Sequence, residues 1–358
     1  MQDTRDLPRL TWDIFCHVID NWGDLGVCWR LAAQLAEREQ QVRLWADYNV
    51  PLDWMAPGAR AGHWPNVEVH DWPRADANAA TPAVPPGDVL VEAFGCEIQP
   101  QWVQALQPSD QGRVWLNLEY LSAEHYVQRC HGLPSPLMSG PLAGRMKWFF
   151  YPGFATGTGG LLRETALLER QNSFDRDLWL RTEGINPDAN PVISLFCYEP
   201  PALPALLRLP ALAEAHWLVA PGRAEAAFTS ANTPETRGTV LKHLPQTEFD
   251  HLLWACDLNF VRGEDSLVRA LWAGKPFIWH IYPQNDDAHH AKLGAFLDWL
   301  QAPASLRAFH HTWNGIDNAP LAAPALAEWH ECALAARQRL LKQDDLLTQL
   351  LGFVMEKR

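Results

Sequence analysis

The sequence predicts an α/β protein built from two doubly wound domains. Strand-length apolar runs alternate with helix-length segments over most of the chain, which is typical of a mostly parallel sheet with helices on both faces. A polar, aperiodic stretch near the middle interrupts this alternation, and a second alternation follows it. The 358 residues are enough for two domains of ordinary size.

The first alternation opens with an apolar strand at residues 13–19, followed by a loop and a helix with apolar positions from Leu25 to Ala36. A Pro-rich, irregular stretch occupies residues 51–86. Further strands of this half are predicted at residues 41–46, 88–94, 113–121 and 146–154. We expect residues 1–165 to form the first Rossmann-like domain.

The segment 166–190 is polar and largely aperiodic, which predicts a linker, and residues 191–339 are expected to form the second Rossmann-like domain. Strands of the second alternation are predicted at residues 191–199, 216–222, 239–245, 258–261 and 277–283. Helices are predicted at residues 201–215, 249–256, 286–300, from Ser266 onwards, and throughout 323–357. The last helix, about 340–358, is expected to pack on the first domain.

Composition excludes several classes of protein. A formal net charge of −13 argues against a general nucleic-acid binder, which normally carries a basic face. The seven cysteines include no Cys-x-x-Cys pair, which indicates reduced thiols and no structural zinc. The first ten residues lack the apolar core of a signal peptide, and no apolar run is long enough to span a membrane. We therefore expect a cytoplasmic protein.

The stretch 261–276 predicts an anion-binding site. A short apolar strand ends near Val261, Gly263 allows a turn, and a helix follows with Leu267 and Leu271 on one face. Backbone N–H groups and the positive end of the helix dipole then point at a common place, where phosphate binds readily. The alternative is that Asp265 or Ser266 is only the helix N-cap, and that Arg262 pairs with a neighbouring acid.

A second candidate site is the loop that follows the first strand. Asp20 and Asp24 are two carboxylates in this loop, and Gly23 and Gly26 permit close approach of the backbone. The pair could act as general base and as a clamp for a cationic substrate. Alternatively, Asp24 caps the next helix and Asp20 begins an Asx-turn. A metal site at these two acids lacks a third nearby ligand.

Four residues of the second half are candidates for contact with a nucleobase or nucleotide. Phe196 and Tyr198 end the first strand of the second domain, where a doubly wound sheet binds ligands. Gln246 and Phe249 stand at the start of a helix, although Phe249 alone would be typical of a core residue. The adjacent histidine pairs at 289–290 and 310–311 do not share a helix face, which argues against a zinc site.

Three segments resemble the EarP family, the protein-arginine rhamnosyltransferases that modify translation elongation factor P. The segments are residues 13–32 (DIFCHVIDNWGDLGVCWRLA), 151–164 (YPGFATGTGGLLRE) and 256–293 (CDLNFVRGEDSLVRALWAGKPFIWHIYPQNDDAHHAKL). The resemblance implies a GT-B fold, with two Rossmann-like domains facing across a cleft and the sugar nucleotide held mainly by the second.

The resemblance also implies a reaction, namely inverting transfer of L-rhamnose from dTDP-β-L-rhamnose to an arginine of elongation factor P. The modified factor then rescues ribosomes stalled at polyproline. No cofactor or metal is expected, because a helix N-terminus can stabilise the leaving diphosphate. Two alternatives remain: a sugar-nucleotide epimerase or hydrolase on the same scaffold, and a non-catalytic nucleotide sensor that binds elongation factor P.

The family's functional residues fall on positions already singled out. Asp24, as general base, and Asp20 are the expected catalytic aspartates, and Glu264 is the acidic residue of the C-terminal motif. The supporting loop positions are Asn21, Gly23 and Gly26. The expected donor-binding residues are Phe196, Tyr198, Gln246 and Phe249 around the nucleotide, and Arg262, Asp265 and Ser266 at the diphosphate.

Overall fold

The computed structural model describes residues 8–19, 22–72, 84–98, 102, 112–140, 142–186, 190–284 and 287–358. The chain divides into two compact units. The first unit comprises Met1–Glu164 and Asp344–Arg358, and the second comprises Thr165–Gln343. No helix in the described residues is both long enough and apolar enough to cross a membrane.

The helices are distributed over both units in chain order. They are α1 (Gly23–Glu37), α2 (Leu52–Met55), α3 (His125–Cys130), α4 (Leu167–Asn172), α5 (Arg176–Thr182), α6 (Leu203–Leu207), α7 (Arg223–Ala231), α8 (Gln246–Ala255), α9 (Asp265–Ala273), α10 (Ala288–Leu300), α11 (Ala304–Trp313), α12 (Leu326–Leu341) and α13 (Leu346–Lys357). A 3₁₀ turn at Pro210–Leu212 follows α6.

A seven-stranded sheet forms the centre of the first unit. Its strands are β1 (Thr11–Cys16), β2 (Gln41–Ala46), β3 (Val67–Asp71), β4 (Val89–Ala93), β5 (Val114–Leu118), β6 (Pro134–Pro136) and β7 (Met146–Phe150). They lie in the order β3-β2-β1-β4-β5-β7-β6, and every pair is parallel except β6 with β7. The strand order reverses between β1 and β4, where such a sheet binds ligands at its carboxyl edge.

The C-terminal helix α13 belongs to the first unit. Its buried face, including Leu347, Leu350 and Val354, packs in the same core cluster as Leu25 and Cys28 of α1. Asp345 caps the helix by accepting a hydrogen bond from the Thr348 N–H at 3.0 Å. These contacts explain why a segment so far along the chain completes the core of the N-terminal sheet.

A five-stranded, fully parallel sheet forms the centre of the second unit. Its strands are β8 (Val192–Leu195), β9 (His216–Val219), β10 (Arg237–Val240), β11 (Leu258–Arg262) and β12 (Phe277–His280). They lie in the order β10-β9-β8-β11-β12, so the order reverses between β8 and β11. With the first sheet, this confirms the predicted fold class of two doubly wound Rossmann-like domains.

Several elements differ from the sequence-based expectation. Segment 166–190, predicted to be a linker, instead contains α4 and α5 and clusters with the second unit. These helices bury only a narrow stripe of side chains, with Trp179 and Leu180 packed against Leu252 of α8. Their other residues are mostly polar, as in a linker. The helix predicted at 201–215 is broken into α6 and the 3₁₀ turn because Pro210 has no N–H to continue it.

Helix α9 is the most deeply buried helix around the candidate anion site. All its residues from Ser266 to Ala273 are buried, including Arg269. The helix ends at Ala273 because Gly274 adopts a φ of +67°, a left-handed C-cap that glycine takes without strain. Strand β11, the Gly263 turn and α9 therefore form the strand–turn–helix unit that the sequence predicts.

Candidate active site

The carboxyl ends of β8 and β11 bring three of the predicted donor-binding residues together. The two strands are adjacent and parallel, with Leu195 opposite Phe260. The Phe196 N–H donates to the Phe260 carbonyl at 3.0 Å, which continues the pairing one residue further. Because both strands then end, Tyr198 and Arg262 meet at the point where the strand order reverses.

Arg262 is the centre of this cluster. Its guanidinium carbon lies 4.4 Å from the ring centre of Phe196 and 4.8 Å from that of Tyr198. Its Nη1 donates to the Cys197 carbonyl at 3.1 Å, and the residue is only 7% exposed. A buried guanidinium stacked on two aromatic rings is worth more than an exposed one, since water does not screen the interaction. The arrangement presents a fixed positive charge at the edge of the sheet.

The turn into α9 is held by the Ser266 hydroxyl. This oxygen accepts a hydrogen bond from the Arg262 N–H at 3.0 Å and donates to the Arg262 carbonyl. The Val268 N–H donates to the Glu264 carbonyl at 3.0 Å and closes the first turn of the helix. The helix N-terminus therefore presents backbone N–H groups next to Arg262, whereas the Ser266 side chain is already engaged with the turn.

Glu264 precedes α9 and pairs with a lysine of α10. Lys292 Nζ lies 2.7 Å from Glu264 Oε1, and both side chains are about one-fifth exposed, at 22% and 19%. Asp265 occupies the first turn of α9. Lys292 was not singled out from the sequence, although it is the penultimate residue of the third segment that resembles the family. The pair fixes one carboxylate at the candidate anion site.

Helix α8 contributes the other two predicted residues. Gln246 is its first residue and is buried, and the Phe249 ring meets the Phe196 ring edge-on at 5.6 Å. A buried ion pair then ties α8 to α9, since Asp250 Oδ1 accepts from Arg269 Nε at 2.7 Å and Oδ2 from Nη2 at 2.8 Å. This pair fixes two helix N-termini relative to each other. The spacing of residues in the sequence does not predict the pair.

His280 closes the cluster from the end of β12. Its Nδ1 accepts the Tyr198 N–H at 3.3 Å, and its ring meets the Tyr198 ring edge-on at 5.1 Å. Burial, and then the positive charge of Arg262, lower the pKa of His280 to about 3. The imidazole is therefore neutral at physiological pH and adds no charge to the cluster.

In the first unit, Asp24 lies in the first turn of α1 and is buried. The helix begins at Gly23, with Trp22 as its N-cap, so Asp24 is not the cap residue. Its Oδ2 accepts a hydrogen bond from the Ile19 N–H at 3.1 Å, which orients the carboxylate toward the loop after β1. This loop leaves the sheet at the reversal between β1 and β4.

The other predicted loop residues have different outcomes. Gly26 lies within α1, and its N–H donates to the Trp22 carbonyl at 2.9 Å. Asp20 and Asn21 lie outside the described residues. The role predicted for Asp20 therefore stays a prediction.

Two other features of the second unit involve residues outside the candidate donor-binding cluster. A cavity of about 490 Å³ is lined by charged residues including Arg176, Asp257 and Lys275. It lies at the amino ends of β8, β11 and β12, the edge opposite to that where doubly wound sheets bind ligands. Near the start of α10, potential ligand atoms of Asp287, His289 and His290 lie within 4.8 Å of one another, although the His289 Nδ1 already accepts the Gln284 N–H.

Two Rossmann-like units, each built on a doubly wound and mostly parallel sheet, form the architecture of a GT-B glycosyltransferase. The fold is similar to that of the Streptomyces sp. SF2575 glycosyltransferase SsfS6, with a TM-score of 0.50 at 10% identity, covering 97% of this chain and 100% of that one. The family model described as Elongation-Factor P (EF-P) rhamnosyltransferase EarP matches residues 12–355. The chain belongs to this family, which confirms the predicted resemblance.

Two further comparisons support the assignment of the chain to this family. The protein-arginine rhamnosyltransferase of Pseudomonas putida is 43% identical over 380 residues, covering 96% of this chain and 98% of the relative. A solved structure described as the structural basis for EarP-mediated arginine glycosylation of translation elongation factor EF-P is similar with a TM-score of 0.64 and 31% identity. That likeness covers 97% of this chain and 99% of the solved one.

Proposed function

We propose that the protein transfers L-rhamnose, with inversion, from dTDP-β-L-rhamnose to an arginine side chain of elongation factor P. The observation that carries the proposal is the cluster at the carboxyl ends of β8 and β11, where Arg262, two aromatic rings and the start of α9 converge. Membership of the EarP family supports the transferred sugar and the acceptor.

The donor nucleotide would bind to the second unit in two parts. The α9 N-terminus and the Arg262 guanidinium would hold the diphosphate, since backbone N–H groups and a fixed cation both favour an anion. The rings of Phe196 and Phe249, with Gln246 beside them, would receive the thymine base by stacking and by edge hydrogen bonds. Asp265 and Ser266 would contribute through the backbone of the first helical turn.

Asp24 would act as the general base. Arginine is a poor nucleophile because its guanidinium is delocalised and has a pKa above about 12. A carboxylate can grip the N–H fork of the acceptor and orient one nitrogen at the anomeric carbon. As the C–N bond forms, Asp24 would take the proton from that nitrogen, with Asp20 as the second carboxylate of the clamp.

The leaving group would depart without a resident metal. The electrons of the breaking anomeric C–O bond pass to the diphosphate, whose developing charge Arg262 and the α9 N-terminus would stabilise. Glu264, fixed by Lys292 at 2.7 Å, would accept hydrogen bonds from sugar hydroxyls and so orient the rhamnose. No step in this scheme needs a cofactor.

The experiment that tests the proposal is the intact mass of elongation factor P after incubation with the protein and dTDP-L-rhamnose. We expect a gain of one deoxyhexose on a single arginine. Asp24→Asn should abolish the gain, because an amide cannot accept the proton. The matched control is Asp53→Asn, which changes an aspartate of the same unit in an exposed ion pair with Arg60 and should leave the reaction intact.

The outcomes separate the proposed reaction from its alternatives. Turnover of dTDP-L-rhamnose without elongation factor P would contradict a transferase and favour an epimerase or hydrolase. Binding of both ligands, with no product in the wild-type protein, would favour a nucleotide sensor. Equal product from the wild type and Asp24→Asn would overturn the role of Asp24 as base.

A further inference from the structure

A second arginine lies beside the candidate diphosphate site and was not singled out from the sequence. Arg223 is the first residue of α7, which follows β9 after Gly222, a residue with a φ of +89°. Strand β9 is the direct neighbour of β8 in the sheet. Arg223 therefore starts from the same carboxyl edge as Tyr198 and Arg262.

Arg223 and Arg262 contact the same aromatic ring. The guanidinium carbon of each lies 4.8 Å from the ring centre of Tyr198. The Arg223 side chain is 38% exposed, whereas Arg262 is buried, so the first can reach a ligand in solvent while the second is fixed. Two like charges on one ring are unfavourable unless an anion lies near them.

Glu199 supplies part of that compensation. Arg223 Nε donates to Glu199 Oε1 at 2.7 Å, and Nη2 donates to Oε2, so the pair is bidentate. Hydrogen bonding to Arg223 is the main reason why the pKa of Glu199 is lowered, and Arg262 acts in the same direction. Arg223, Arg262 and Glu199 together carry two positive charges and one negative charge, so the net charge of these three side chains is +1.

We propose that Arg223 is a second cationic contact for the diphosphate of the donor nucleotide, and that it exchanges Glu199 for the diphosphate when the nucleotide binds. The inference rests on the proposed function, because it assumes a nucleoside diphosphate donor. A diphosphate carries at least two negative charges, which matches the two guanidinium groups better than the single carboxylate does. Arginine suits this role because its planar fork binds phosphate oxygens in pairs.

The exchange is energetically accessible. The Glu199 side chain is 53% exposed, and an exposed ion pair contributes little to stability because water screens it. A charge-assisted bidentate contact to phosphate in a partly buried site is stronger. The nucleotide therefore displaces Glu199 at little cost, and the Tyr198 ring keeps Arg223 close to the site.

The test is calorimetric binding of dTDP and of thymidine to the full-length protein and its variants. We expect Arg223→Gln to weaken dTDP binding by roughly tenfold to a hundredfold and to leave thymidine binding within about twofold, because thymidine has no phosphate. Arg223→Lys should recover part of the loss, since it keeps the charge. Glu199→Gln should tighten dTDP binding by roughly twofold to fivefold, because it removes the competing anion.

The matched control is Arg237→Gln in the same unit. Arg237 also forms an exposed ion pair, with Glu214 at 3.1 Å, but it lies on the edge strand β10, and its replacement should not change dTDP binding. Equal dTDP affinity in wild type and Arg223→Gln would overturn the inference alone, and so would an equal loss of thymidine binding, which indicates a structural role. Failure of the wild type to bind dTDP would overturn the proposed donor as well.

Discussion

Asp250 and Arg269 form a bidentate ion pair in which each side chain is 1% exposed. The pair joins α8, which carries Gln246 and Phe249, to α9, whose N-terminus is the candidate diphosphate site. This buried interaction therefore helps to fix the spacing between the nucleobase side and the phosphate side of the candidate donor site. The contribution of this pair to stability depends on the free-energy cost of burying either charge without its partner.

Removing one partner should destabilise the second unit strongly. Asp250→Ala would leave the Arg269 guanidinium buried and largely uncompensated, which typically costs about 3–5 kcal/mol. The double substitution Asp250→Leu with Arg269→Met should recover most of that loss, because it removes both charges. The free energy of unfolding in urea measures both changes. Asp298→Ala, which breaks an exposed pair with Arg307, serves as control and should cost less than about 1 kcal/mol. If Asp250→Ala lowered the free energy of unfolding by no more than this control does, the prediction would be wrong.

Arg262 should not tolerate lysine. Arg262→Lys keeps the positive charge but loses the planar stack on Phe196 and Tyr198 and the hydrogen bond to the Cys197 carbonyl. We expect dTDP affinity to fall roughly tenfold, because an ammonium cannot stack flat on the two rings or bind phosphate oxygens in pairs as a guanidinium does. Calorimetric titration with dTDP checks this.

The control for this prediction is Arg307→Lys, at an exposed arginine of the same unit. It should bind dTDP as the wild type does. If Arg262→Lys also retained full affinity, the charge alone would be sufficient and the aromatic stack would have no role in binding the donor.

Lys292 should affect turnover more than nucleotide binding. Lys292→Met removes the partner that fixes the Glu264 carboxylate at 2.7 Å. A misplaced carboxylate would orient the sugar poorly, so we expect kcat to fall about tenfold or more while dTDP affinity changes less. Steady-state kinetics with elongation factor P, beside dTDP calorimetry, separates the two effects. Lys242→Met, at an exposed lysine of the same unit, should change neither kcat nor dTDP affinity. If Lys292→Met lowered kcat and dTDP affinity equally, Lys292 would be assigned to phosphate binding instead.

Local sequence patterns predicted the sheet-forming strands and the helix that matter most for the site. The apolar run ending at Val261, the Gly263 turn and the helical spacing of Leu267 and Leu271 predicted β11, its turn and α9. The position of Phe196 and Tyr198 at the end of the predicted strand 191–199 predicted the carboxyl edge of the sheet. These features could be predicted because each depends on residues close together in the chain.

Interactions between distant residues could not be predicted in the same way. Glu264 and Lys292 are 28 residues apart, and Glu199 and Arg223 are 24 apart, so no local period links them. The sequence of segment 166–190 predicts a linker because only a narrow stripe of each of its helices is buried, which leaves too few apolar residues to show a helical period. In each case a tertiary contact, rather than the local sequence pattern, determines which side chains pair or whether a segment folds into helices.

His310 should make the stability of the second unit depend on pH. The residue is fully buried, its Nε2 accepts the Trp279 N–H at 3.0 Å, and its Nδ1 lies 3.0 Å from the Leu306 carbonyl. Burial lowers the pKa of His310 to about 4, against about 6.5 in an unfolded chain. The unfolded state therefore binds a proton first as the pH falls. The stabilising contribution is complete above about pH 6.5 and is lost progressively toward about pH 4, by up to about 1.4 kcal/mol per pH unit.

His310→Gln should remove this dependence, because glutamine cannot titrate and can still offer an oxygen and an N–H. The free energy of unfolding, measured in urea at intervals between pH 7 and pH 4, should fall less steeply for the variant than for the wild type. The difference in slope should correspond to the uptake of about one proton on unfolding. His243→Gln, at an exposed histidine of the same unit, should keep the wild-type slope. Parallel curves for His310→Gln and the wild type would mean that the native state accepts a proton at His310 as readily as the unfolded chain does.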